Sequence, residues 1–136
     1  MILEGYVSII DGTWTKDIQI GHDTLMDWFK NNAYKLGGIC AFDNSKTLGT
    51  HDLVIPDCKM NAYFTKSKCS LDVAIRSVYE HLYGTVCGKA EYTGYSEWTI
   101  LGLYVDSLTI GGHDLFKEFE SHIGEYVHLC INEDLV

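Results

Sequence analysis

The chain predicts an α+β fold, an antiparallel sheet built from two similar β-β-α-β units with an additional helix between them. Three observations carry this. The stretch from Leu103 to Ile131, LYVDSLTIGGHDLFKEFESHIGEYVHLCI, reads as strand, tight connection, helix and strand. The stretch from Lys16 to Phe42, KDIQIGHDTLMDWFKNNAYKLGGICAF, reads in the same order. Between them, Leu71, Ala74, Ile75, Val78, Tyr79 and Leu82 recur at helical spacing behind Ser70, a natural N-cap.

Taken in order, Glu4 to Ile10 is a strand that turns at Asp11-Gly12, a hairpin signal, and returns through Ile18 and Ile20. Asp23 stands where a helix would start. Leu25, Met26 and Phe29 supply its apolar face, and Gly37-Gly38 stops it. Ile39 to Phe42 is the next strand. Residues 43–69 hold the only proline, Pro56, a short apolar run at Leu53-Val54-Ile55, and Met60, Ala62 and Phe64 alternating as a second short strand, so they read as an irregular connector with short strands. The middle helix is expected to end at Gly84. Residues 84–98, with three glycines, read as a long loop. In the last third, Leu103, Val105, Leu108 and Ile110 alternate as strand residues, with Glu97 to Val105 as a strand partner. Asp114 caps a helix whose apolar positions are Leu115, Phe116, Phe119 and Ile123, and Gly124 ends it. Tyr126 to Ile131 is a strand buried on at least one face.

At 136 residues the chain is expected to be one domain, with residues 1–45 and 91–136 as the two units and 46–90 as connector and helix. No uncharged run approaches a membrane span, and the first residues lack a signal peptide pattern, so a cytoplasmic location is expected. The five cysteines are then read as free thiols.

Charge is uneven. Residues 1–45 hold three Lys against six Asp/Glu, and residues 46–90 hold six Lys/Arg against four. Residues 91–136 hold one Lys against nine Asp/Glu, a net of −8 out of −9 for the whole chain. Phosphate contacts need Lys and Arg, so direct nucleic-acid binding is not expected. An acidic end fits a basic protein or ribonucleoprotein surface.

Motifs that name a reaction are absent. Three His-Asp pairs, at His22, His51 and His113, carry metal-ligand chemistry. Two of them coincide with helix starts, where Asp caps, so neither a metal nor another cofactor is expected. Gly111-Gly112 precedes a helix but lacks any phosphate-loop signature. Cys58, Cys69 and Cys87 stand at no spacing that singles out a nucleophile.

The phrase SLTIGGHDLFKEFESHIGEYVHLCI, with its cognate near the N-terminus, resembles small phage and mobile-element proteins of Gram-positive bacteria. That resemblance implies an inhibitor of a host defence system, anti-CRISPR-like, acting in the host cytoplasm by surface complementarity. It transfers no individual residue. The residues themselves point to a non-enzymatic acidic binding protein. Glu118, Glu120, Glu125, Glu133 and Asp134 would steer the partner, with Tyr92, Tyr95 and Trp98 as anchors. The alternatives are a small-molecule or nucleotide sponge and, behind it, a metal-dependent or cysteine hydrolase. Exposed strands of such units also offer a route to a homodimer.

Overall fold

A computed structural model describes residues 1–11, 16–42, 50–77, 83–95 and 107–133. Its centre is a strand that the sequence disguises. Residues 43–69 were expected to be an irregular connector, yet β5 (Thr50–Thr65) runs 16 residues and pairs with three neighbours. The proline misleads because it occupies a bulge. The register against β6 (Tyr83–Tyr95) shifts between Ile55 and Cys58, and Asp57 takes φ 51°. A residue without an N–H costs the ladder nothing where the ladder is already interrupted.

Strand β6 is the second correction. The expected loop at 84–98 is strand as far as Tyr95, and Gly84 lies inside it rather than ending a helix. Twelve paired positions with β5 override the poor local propensity of its glycines.

The N-terminal corner starts with β1 (Ile2–Asp11) and β2 (Lys16–Ile20), an antiparallel pair. The two-residue β3 (Asp23–Thr24) leads into α1 (Leu25–Asn32), followed by a 3-10 turn at Tyr34–Leu36 and β4 (Ile39–Phe42). Thr24, not Asp23, caps α1, its hydroxyl accepting from Asp27 N at 3.2 Å. The helix α2 (Leu71–Arg76) is capped by Ser70 as expected, and the rest of its predicted length, residues 78–82, lies outside the described residues. So does the predicted strand at 97–105. The C-terminal corner then follows as β7 (Ser107–Ile110), β8 (His113–Asp114), α3 (Leu115–Glu120) and β9 (Tyr126–Ile131). Asp114 caps α3, accepting from Phe116 N and Lys117 N. Ile123 falls beyond α3 and is exposed, not on its apolar face.

All pairings are antiparallel, in the order β3-β2-β1-β9-β5-β6-β7-β8, with β4 also on β5. Ile18 and Ile20 from one end of this path and Leu108 and Ile110 from the other share one apolar cluster. The sheet therefore curls until its ends meet. Helix α3 packs against β2, closing the interior together with Phe29, Leu25, Leu115 and Phe119. Among the described residues, no helix is long and apolar enough to cross a membrane.

Candidate functional site

Helix α3 does not seat flat on the curled sheet. Between it and the inner faces of β5 and β6 lies a pocket of about 120 Å³, lined by Met60, Ala62, Phe64, Gly84, Val86, Glu118, Phe119 and His122. Period-two alternation puts Met60, Ala62 and Phe64 on one face, and ladder pairing sets Val86 beside Met60 and Gly84 beside Ala62. Gly84 contributes no side chain, and a Cβ built there would meet nothing within 4 Å.

Glu118 and His122 are the polar lining. His122 is buried and stacks on Phe64, with ring centroids 3.8 Å apart and planes 14° from parallel. Its Nδ1 lies 2.7 Å from Glu125 Oε2. The Nδ1–H donates to that carboxylate, which fixes the ring against Phe64. Glu118 is exposed, with an oxygen 3.8 Å from His113 Nδ1.

The expected partner-binding residues are dispersed. Glu118 and Glu120 are both exposed on α3, but two residues apart on a helix do not share a face. Glu125 holds His122. Glu133 lies beyond the opposite end of β9, paired with the Met1 ammonium. Tyr92 is half-buried in β6, opposite Leu53 and Leu108, and packs against the core. Tyr95 is the last residue of β6, while Trp98 and Asp134 lie outside the described residues. Among the described residues, Glu118 is the one of these that lines the pocket.

A second constellation, on the outer sheet face, was not singled out from the sequence. All six residues of β9 are buried, so the strand is covered on both sides. His128 is fully buried there, its Nε2 3.1 Å from Glu4 Oε2. That contact has ion-pair distance without hydrogen-bond alignment, and neither ring nitrogen makes a well-formed hydrogen bond. Tyr126 meets the His128 ring edge-to-face at 5.2 Å and Tyr6 at 5.0 Å. Burial lowers the His128 pKa, against the opposing pull of Glu4 and of the Cys69 backbone. Only the alternation Tyr126, His128, Cys130 hinted at this. What covers the outer face could not be read locally.

Metal and thiol chemistry find little support. Among the described residues no group of three or more His, Cys, Asp or Glu could hold a metal ion. Asp114 is occupied in capping. Cys58 is buried, and burial, then Cys87, pushes its thiol up to about 11, the opposite of what a nucleophile needs. Cys69 donates to Thr65 Oγ1 at 3.5 Å. No protein-family model, curated protein or solved structure matches the chain.

Proposed function

We propose that this protein is an acidic binding module that engages a basic partner surface through the α3 end. The observation that carries it is the apolar pocket with a carboxylate at its edge. A small apolar centre with a charged rim is the anatomy of a protein-protein contact. Glu118 and Glu120 stand exposed on α3, and the C-terminal third carries a net charge of −8, which would favour a basic partner. An inhibitory role of the anti-CRISPR kind is the specific form of this reading, supported by the resemblance of the α3–β9 stretch. At about 120 Å³ this pocket is itself too small for a nucleotide, since ligand pockets usually run to roughly 300–1,000 Å³.

The second half of the reading concerns origin. The two corners are taken as copies of one β-β-α-β unit. The support is positional: counted from the caps Thr24 and Asp114, Leu25, Met26 and Phe29 match Leu115, Phe116 and Phe119 without a gap. Gly21 and Gly111 follow Ile20 and Ile110 in both.

The test is capture from host lysate at low and moderate salt, comparing wild type with Glu118→Lys/Glu120→Lys. Loss of a specific basic protein from the variant, and its weakening with salt in the wild type, support the reading. Equal capture with equal salt dependence by both proteins sinks it.

A further inference from the structure

We infer that the pocket beneath α3 receives one long aliphatic cation, a lysine side chain presented by the basic partner. This rests on the reading of the α3 end as the partner surface and names what that surface grips.

Size comes first. A pocket of about 120 Å³ has room for one side chain, not for a nucleotide or a drug-sized ligand. Its walls come next. Met60, Ala62, Phe64, Val86 and Phe119 are apolar, matched to a run of methylene groups that is removed from water as it enters. Phe64 and Phe119 meet edge-to-face at 5.3 Å, which offers the stem aromatic surface. The polar lining then sets the head group. Glu118 presents a carboxylate at the pocket edge, which accepts only, while His122 is tied through Nδ1 to Glu125. A carboxylate suits a group that only donates. An ammonium is such a group. Arginine fits less well, because its planar guanidinium is bulkier than an ammonium.

The other corner supplies an independent argument. Four positions after its cap, α1 carries Trp28, a buried indole packed edge-to-face on Phe29 at 5.1 Å. Four positions after its cap, α3 carries Glu118. One corner places a buried aromatic side chain at this position. The other places an exposed carboxylate there, at the edge of the pocket.

The test titrates Nα-acetyl-lysine methylamide into the protein and follows the methyl NMR signals of Met60, Ala62 and Val86. Nα-acetyl-norleucine methylamide, which keeps the stem and lacks the ammonium, is the comparator. Saturable shifts at these methyls are expected. Norleucine should bind about fivefold more weakly, and so should lysine to Glu118→Gln, the size of an exposed ion pair. Gly84→Val should abolish the shifts by filling the pocket. It should also fold, because the new Cβ meets nothing and the backbone there is not in the left-handed region. Glu118→Trp, copying Trp28, is a second plug if that one misfolds. Norleucine binding as tightly as lysine, shifts that persist in both plugged variants, or no shift at those methyls overturns the inference. In those cases partner capture that still depends on Glu118 and Glu120 keeps the broader reading alive. Lysine binding with capture indifferent to those charges overturns the partner as the source of the lysine.

Discussion

The N-terminal and C-terminal corners share a backbone plan and differ in what they do with it. Each is an antiparallel pair, a glycine turn, a two-residue strand and a short capped helix. In each, a glycine on one strand lets the turn of the next come close. A Cβ at Gly5 would lie 2.4 Å from Gly21 N, and one at Gly88 would lie 2.6 Å from Gly111 Cα. The helices then diverge. Beside α1 an indole completes the core, whereas beside α3 a pocket remains with Glu118 at its edge. The closing strands diverge as well. Among the described residues strand β4 pairs with β5 alone, and Ile39 is exposed, while β9 is inserted between β1 and β5 and buried on both faces. The comparison teaches that two corners of similar local plan acquire different surroundings from the strands they are packed against.

The largest effects test the shared plan. Gly5→Ala and Gly88→Ala should each prevent stable folding, since the clash is with backbone and both glycines take positive φ, 157° and 142°. Circular dichroism and urea melts would show it. If one variant folds normally, the two close approaches are not equivalent.

Next, the packing difference can be sharpened by truncating the matched phenylalanines. Phe29→Ala should cost about 4 kcal/mol and Phe119→Ala nearer about 3 kcal/mol, because Phe119 already borders open space. Urea titration decides it, and the reverse order would break the account of the pocket.

The caps should differ less. Asp114→Ala is expected to cost about 1.5 kcal/mol and Thr24→Ala about 1 kcal/mol, since Asp114 accepts from two backbone N–H groups and Thr24 from one. Thermal melts of the two variants suffice.

The smallest expected effect is a slope, and it concerns where β9 lies. Burial holds the His128 pKa below its ordinary 6.5, so the folded state favours the neutral ring. The unfolded chain therefore binds the proton first as pH falls. Stability should be full above about 6.5 and decline as pH falls from there toward the lower folded value. Glu4, Tyr6, Tyr126 and Cys69 face the same site, so the control is a variant rather than a second pH. His128→Phe should flatten the decline seen by urea denaturation between pH 7.5 and 5.5. An unchanged slope would remove His128 as its source.

Much of this was legible locally, for reasons that can be named. Ser70 and Asp114 were read as caps because a short acceptor before an apolar periodicity has few other uses. Leu25, Phe29, Leu115 and Phe119 were read as core positions from spacing, and all four are buried. Asp23 was read as the helix start because Asp is a common cap, but the next residue, Thr24, is an equally good one and takes that place. Of the candidate site, Glu118 was named, but its companions were not. Met60, Ala62 and Phe64 were read as a short strand but not as part of a site, and Gly84 was taken for a helix end.

Alternation, caps and apolar spacing are properties of a few neighbouring residues, so the amino-acid sequence by itself determined the α+β class, the two helix-bearing corners and most of the core. Pairing partners are set between residues far apart in the chain. Only the tertiary structure decided that residues 50–65 form the central strand, that β9 enters between β1 and β5, and that His128 is covered from both sides. The pocket belongs to the same class of fact. It exists because the inner faces of β5 and β6 meet α3 without filling the space between them, and no local pattern records a gap between distant elements.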